Sequence, residues 1–330
     1  MTILGTGTIS FPGLGIHNLE ISKVAFKLFG IQFRWYGILI GIGFAVALLV
    51  GIWLRKKSGE SVDRLLDVVI VATPCAIIGA RAYYVLQTLD RYDSFWDFFK
   101  IWEGGLAFYG GLIGAVIGAG LYCLIRKENL LKIFDCAAPA FLIAQAIGRW
   151  GNFVNQEAFG TETDLPWRME IVVNGVKTAV HPTFLYESLW NLVGFVLLLL
   201  LFRKRKWNGE VFVAYLGWYG LGRAFIEGLR TDSLMLTDHI RTSQWLAGIC
   251  FVAAVVILVV MRVKLRKKQD AEAEYTPQFA EAAVAMEERT IDVSLSEETE
   301  KSAESEESGG AQPSEAAEKE ETPAEKKEEQ

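Results

Sequence analysis

Seven blocks of apolar residues, each close to the length that crosses about 30 Å of hydrocarbon, constrain this chain more than any other feature. They run approximately over residues 33–54, 67–88, 105–126, 130–148, 184–202, 210–229 and 243–263. The apolar residues gather in blocks rather than in amphipathic stripes, and hydrophobic residues make up 52% of the chain. Such a pattern predicts an all-α integral membrane protein of about seven transmembrane helices. Asp135 and Pro139 interrupt the fourth block. Pro139 predicts a kink rather than an end, because neighbouring helices can satisfy the carbonyl that a proline frees.

Basic residues set the orientation. Arg55, Lys56, Lys57 and Arg64 follow the first block, and Arg126, Lys127 and Lys132 follow the third. Arg203, Lys204, Arg205 and Lys206 follow the fifth, and Arg262, Lys264, Arg266, Lys267 and Lys268 follow the seventh. These alternate loops share one side, which the positive-inside rule makes cytoplasmic. The amino terminus is then outside and the carboxyl terminus cytoplasmic. The first residues lack a basic region ahead of a short apolar core, so residues 1–30 read as an extracytoplasmic segment rather than a cleavable signal. Cys75, Cys123, Cys136 and Cys250 all fall within apolar blocks without metal-ligand spacing. Packing is their expected role, and neither a disulfide framework, a metal nor a cofactor is implied.

The chain divides at about residue 268. Residues 269–330 carry 20 acidic against 5 basic residues, a net of −15, whereas the rest carries 19 acidic against 28 basic, a net of +9. A segment so charged and so poor in apolar residues buries too little surface to offset chain entropy. Residues 1–268 are therefore expected to form the membrane domain and 269–330 a disordered, acidic cytoplasmic tail.

Two outer loops carry pattern. Tyr92, Phe95, Trp96, Phe98, Phe99 and Trp102 recur at spacings of three and four, which suits either a short interfacial helix or an aromatic belt loop. Met169–Val173 and Val176–Val180 are β-prone runs around Asn174-Gly175, the signature of a hairpin with a type I′ turn. Gly110, Gly114 and Gly118 lie one turn apart on the third block and form a face for close helix packing.

Charged and amide side chains collect toward one end of the blocks. Arg149, Asn152, Asn155 and Glu157 leave the fourth block among Gly148, Gly151 and Gly160. A fixed charge at membrane depth costs roughly 2.5 kcal/mol or more and so marks a pathway or a site. Tyr36 opens the first block, Arg81 lies in the outer part of the second, and Glu103 and Tyr109 flank the start of the third. His181 and Glu187 bracket the start of the fifth, where catalysis and helix capping are both open readings. Arg223, Glu227 and Arg230 share one helical face on the sixth. They read either as a buried ion network or, with surplus positive charge beside Arg149, as a receptor for an anion such as a lipid phosphate.

These residues resemble the bacterial phosphatidylglycerol–prolipoprotein diacylglyceryl transferases, over residues 11–268. Arg34, Trp35, Tyr36 and Gly37 are similar to the family's opening of the first span, and Gly79, Ala80, Arg81, Ala82, Tyr83 and Tyr84 to its second-span motif. Gly148, Arg149, Gly151, Asn152, Phe153, Asn155, Glu157 and Gly160 stand where the family signature has Gly-Arg-x-Gly-Asn-Phe-x-Asn-x-Glu and a following glycine. The stretches beginning at His181 and at Gly222 are similar to the later motifs.

The resemblance implies transfer of the diacylglyceryl group of phosphatidylglycerol to the thiol of a lipobox cysteine in a prolipoprotein, with release of glycerol phosphate. It implies a multi-pass protein of the bacterial cytoplasmic membrane working at the outer leaflet, with no nucleic-acid partner. Arg149 and Arg223 are then expected to hold the lipid phosphate with Asn152, Glu227 and Arg230 to orient them, and Gly160 to let the lipid approach closely. Tyr36 is expected on the lipid side, and Asn155, Glu157, Arg81, His181 and Glu187 in support. This sequence departs from several relatives in having Tyr109 where they have a histidine proposed as the base. A phenol of pKa near ~10 is a poor base at neutral pH. The thiol base is therefore open: Tyr109 could hydrogen-bond the phosphate, the base could be Glu103 or another group, or the leaving phosphate itself could accept the proton. An outer-leaflet anionic lipid-binding protein or transporter is the alternative, although transport predicts polar residues along the inner halves, which read as apolar.

Overall fold

Long apolar runs close their backbone hydrogen bonds internally as helices, which a hydrocarbon surrounding demands. The computed structural model describes residues 6–91, 94–101, 104–173, 175–230 and 244–269, with Met286 and Arg289. Its long helices are Trp35–Lys57 (α1), Val62–Gln87 (α2), Phe108–Arg126 (α3), Leu130–Asn155 (α4), Thr183–Lys204 (α5), Glu210–Ile226 (α6) and Gln244–Gln269 (α7). Among the described residues, six of these are long and apolar enough to cross a membrane; α6, with 17 residues, is the short one. The chain clusters into two units, Met1–Met261 and Arg262–Gln330. The acidic tail and its expected disorder fall almost wholly outside the described residues, as do Glu103, Asn174 and, among the loop aromatics, Tyr92 and Trp102.

Two features depart from an all-α expectation. Thr6–Phe11 (β1) and Ile16–Ser22 (β2) pair antiparallel, and β1 also pairs with Met169–Val173 (β5), which pairs with Val176–Val180 (β6). The amino-terminal segment and the loop hairpin thus make one sheet of order β2-β1-β5-β6. Val24–Leu28 (β3) and Ile31–Arg34 (β4) form a separate hairpin ahead of α1. Ile9, Phe11, Met169, Ile171 and Val180 pack with Phe184 of α5 into the sheet's apolar core. Lys177 lies 2.6 Å from Glu170 across the β5–β6 pair and holds that carboxyl below its usual range.

The fourth helix also outruns its apolar block. It continues through Pro139 and past residue 148 to Asn155, where Gln156 turns left-handed and its N–H bonds back to Asn152 and Phe153. Polar residues can stay helical there because their side chains find partners on other elements, described below.

Small residues set the crossing of α2 and α3. Gly79 of α2 faces Gly110 and Gly114 of α3, and a Cβ on any of these three would run into the other backbone. Gly118 completes the row against Cys75, so the predicted glycine face is a helix–helix contact. Between α2 and α3 the described part of the aromatic loop contains a short 3-10 helix, Phe95–Phe99. Arg81, completely or nearly covered, donates to the carbonyls of Asp97, Gly104 and Gly105 and so holds that loop down.

At the opposite end of the bundle Asp135 has a purpose that its sequence position concealed. Fully buried, it accepts from the backbone N–H groups of Gly209 at 2.8 Å, Val211 at 3.0 Å and Phe212 at 3.0 Å. A carboxylate on α4 therefore caps the amino terminus of α6, where unpaired donors and the helix dipole favour negative charge. Nearby, buried Arg55 meets Glu128 at 2.8 Å, and Lys132 meets Glu60 at 2.7 Å, which lowers the Glu60 pKa.

Asp135→Ala leaves three buried donors unpaired, each at a cost of about 1–3 kcal/mol. Its thermal unfolding midpoint in detergent is expected to fall by several degrees, whereas Asp63→Ala, on an exposed first turn, changes little. Equal midpoints for the two variants would contradict the capping role.

Candidate active site

The polar residues that the sequence scatters over three blocks meet around one carboxylate. Glu187, in the second turn of α5, is only 9% exposed at its side chain and lies 2.5 Å from Arg149 of α4. The same carboxylate is 3.7 Å from Arg223 of α6 and 3.6 Å from Arg230. Glu227 closes the network at 2.9 Å from Arg223, one helical turn away. Among the described residues, these ion pairs join three guanidinium groups to two carboxylates. The arginine side chains retain 20%, 22% and 12% exposure for Arg149, Arg223 and Arg230, while Glu227 retains 4%. The carboxylates are thus the covered part of the cluster, and the surface it offers is cationic.

Backbone straps bring these residues together. Gly160 and Arg230 form an antiparallel bridge, and Thr161 N–H bonds to Leu229 O at 2.7 Å. On the other side, Gly160 N–H bonds to His181 O and His181 N–H to Thr161 O, each at 3.1 Å. A short strand at Gly160 and Thr161 therefore ties the start of α5 to the turn after α6 and carries Arg230 toward Glu187. Thr183 adds a bond to Ala158 O at 2.5 Å. A Cβ on Gly160 would lie 2.6 Å from the His181 Cβ and 3.0 Å from Leu229 O, so the missing side chain lets the start of α5 and the turn after α6 close on this strand.

Arg149 is aimed by its own helix as well. It donates to Asn152 Oδ1 at 3.3 Å, and Asn152 donates in turn to Glu157 at 2.9 Å. Asn155 reaches the same Glu157 oxygen at 3.3 Å. Asn152, Asn155 and Glu157 are therefore one relay on Arg149. His181 Nδ1 is 3.3 Å from the Tyr186 hydroxyl, which accepts from Trp167 at 2.7 Å, a chain separate from the arginines.

From Arg149 an apolar groove of about 490 Å³ runs between α1 and α4. Tyr36, Ile40, Phe44 and Phe141 line it, and Gln145, Arg149 and Asn152 supply its polar groups. The Tyr36 ring stands directly over Gly151, where a Cβ would meet it at 2.7 Å.

The contacts described for Tyr109 and Arg81 lie elsewhere. Tyr109 is 53% exposed on the first turn of α3, with its ring edge-on to Phe108. Arg81 is committed to the loop carbonyls already described.

Two features escaped the sequence. The first is the central position of Glu187, which its place beside a helix start did not reveal. The second is a reciprocal clasp in which Trp190 and Trp218 stack at 4.2 Å and each indole N–H donates to the other's carbonyl at 3.1 Å. Each ring lies over the other helix's glycine, Gly222 under Trp190 and Gly194 under Trp218. The repeated Trp-x-x-x-Gly pattern was its signal. The clasp fixes α5 against α6 one turn from Glu187 and directly beside Arg223.

A family model described as prolipoprotein diacylglyceryl transferase matches residues 23–260. The chain belongs to this family. It is 44% identical over 250 residues to the phosphatidylglycerol–prolipoprotein diacylglyceryl transferase of Finegoldia magna, covering 75% of this chain and 97% of that one. A protein of the same name from Bacillus velezensis is 42% identical over 253 residues, 74% of this chain and 93% of the relative. One from Clostridium perfringens is 43% identical over 260 residues, 75% and 98%. The motifs around Arg149, Glu187 and Arg223 all lie within the matched region of this prolipoprotein diacylglyceryl transferase family member.

Glu187→Gln keeps the size of the side chain and removes its charge. Loss of such preorganised electrostatics is expected to lower turnover by on the order of 100-fold. A variant with correct helix content and unchanged turnover would show that the three arginines hold their places without it.

Proposed function

We propose that this chain transfers the diacylglyceryl group of phosphatidylglycerol to the lipobox cysteine thiol of prolipoproteins at the Arg149–Arg223–Arg230 cluster. The observation that carries this reading is a cluster of three partly exposed arginines at the end of an apolar groove. An anionic phospholipid has that shape, a phosphate joined to acyl chains. The relatives' names supply the reaction.

In that reaction the thiol sulfur attacks the diacylglycerol carbon that bears the phosphate ester oxygen. The S–C bond forms, the C–O bond breaks, and glycerol phosphate departs with the bonding pair. Arg149 and Arg223 bond phosphate oxygens, and a guanidinium, charged at every relevant pH, stabilises the growing charge on the leaving group. Glu187 and Glu227 orient the arginines, Asn152 and Glu157 fix Arg149, and Arg230 supplies the third cation. The departing phosphate monoester accepts the thiol proton, so atoms and charge balance without a permanent side-chain base. The exposed position of Tyr109 on the first turn of α3 supports this route over a phenol base.

The same reading places the protein in the bacterial cytoplasmic membrane with seven spans, amino terminus outside and carboxyl terminus inside. Seventeen residues of α6 extend about 26 Å, and the following 3-10 turn Glu227–Leu229 adds to that length. The arginine cluster then faces the outer leaflet, where lipoprotein precursors present their lipobox cysteine. Residues 269–330 lie outside the catalytic part as an acidic cytoplasmic extension.

Purified protein with phosphatidylglycerol and a lipobox peptide is expected to yield a thioether-linked diacylglyceryl peptide by mass spectrometry. Arg149→Ala and Arg223→Ala should each abolish it, while Tyr109→Phe keeps a near-normal rate. Full activity in either arginine variant would remove the assigned phosphate role, and loss in Tyr109→Phe would restore a phenol proton to the mechanism.

A further inference from the structure

The β3–β4 hairpin projects from the start of α1 with its apolar face uncovered. Phe26 stacks on Phe33 across the strands at 4.7 Å, and Leu28 pairs with Ile31, so these four share one face while Lys27 and Gln32 pair on the other. At the tip, Phe29 is 94% exposed. Its φ of 51°, followed by Gly30 at 81°, is the left-handed geometry of a tight hairpin turn. Asparagine, aspartate or glycine suits such a position better than phenylalanine, so the ring is there for something beyond the turn. A two-stranded hairpin with a bare apolar face is marginally stable in water.

What covers that face follows from where the hairpin is tethered and from its charge. The Trp35 N–H bonds to Lys23 O at 3.1 Å, which fixes the base of the hairpin to the first turn of a helix long and apolar enough to span a membrane. Lys23, Lys27 and Arg34 are its charges, and between Glu20 and Glu60 the sequence contains no acidic residue. Tyr36, two residues beyond β4, lines the groove that ends at Arg149.

We propose that this hairpin is a membrane-surface anchor that beds in the leaflet at the amino-terminal end of α1 and draws anionic phospholipid to the mouth of the α1–α4 groove. Phe29 and the face of Phe26, Leu28, Ile31 and Phe33 enter the acyl boundary, and Lys27 with its basic neighbours meets the lipid phosphates. The recruiting role rests on the transfer reaction proposed above; the bedding does not.

A nitroxide on Phe29→Cys, in vesicles of phosphatidylglycerol and phosphatidylethanolamine, reports the contact without turnover, with wild-type protein carrying its four native cysteines as background. The label is expected to collide with dissolved oxygen and to be shielded from a water-soluble nickel chelate, with or without lipobox peptide. Free collision with the chelate would overturn the proposal. So would shielding that arises only when peptide is added, which would assign the face to the protein substrate. For recruitment, Lys27→Glu is expected to raise the phosphatidylglycerol fraction giving half-maximal rate roughly fivefold at unchanged maximal rate. An unchanged half-saturation point would remove the recruiting role and leave only the anchor.

Discussion

One carboxylate holds the site together. Arg149, Arg223 and Arg230 come from α4, α6 and the turn beyond α6, and each faces Glu187 on α5. Three like charges this close would drive their helices apart in a low-dielectric surrounding. Glu187 converts that repulsion into convergence, and Glu227 takes up part of the remaining charge. Among the described residues, the ion pairs of this cluster join three cations to two carboxylates. The arginine side chains keep more exposure than the carboxylates between them, which is what the proposed anion-binding role requires.

The two ends of the bundle use buried charge for opposite purposes. At the Asp135 end the charge is consumed internally: a carboxylate satisfies three backbone donors of α6, and Arg55 is enclosed with Glu128. Such contacts fix where α6 begins. At the Glu187 end, the Gly160–Thr161 strap and the Trp190–Trp218 clasp fix where α6 stops relative to α5. With both ends pinned, Arg223 has little freedom in depth or rotation. Preorganisation of this kind lets a guanidinium stabilise developing charge without first reorganising.

The sequence made the helices legible because hydrocarbon length and hydrogen-bond closure leave few choices, and it located both strands of the β5–β6 pair from their residues around Asn174-Gly175. It did not reveal β1, whose short Thr-Gly-Thr-Ile-Ser-Phe run finds a partner strand some 160 residues away. A non-local pairing of that kind leaves no local signal. Nor could the extension of α4 to Asn155 be read, since Arg149 and Asn152 look like an exit from the membrane until Glu187 and Glu157 are seen beside them. Arg149, Arg223, Glu227 and Arg230 were recognisable as unusual charges at one depth. Their common partner was not, because Glu187 beside a proline-led helix start also reads as an ordinary dipole-favoured acid. Gly160 is legible as a place of close approach, and the structure shows His181, Thr183 and Leu229 approaching it.

Retention of lipid by the purified protein tests the central claim most directly, because it separates binding from chemistry. Native mass spectrometry of protein equilibrated with equimolar phosphatidylglycerol and phosphatidylcholine should show phosphatidylglycerol retained on the wild type and lost from an Arg149→Ala, Arg223→Ala double variant of normal helix content. Equal retention of phosphatidylglycerol by the double variant would contradict the account, since the arginine cluster would then not be what holds the anionic lipid.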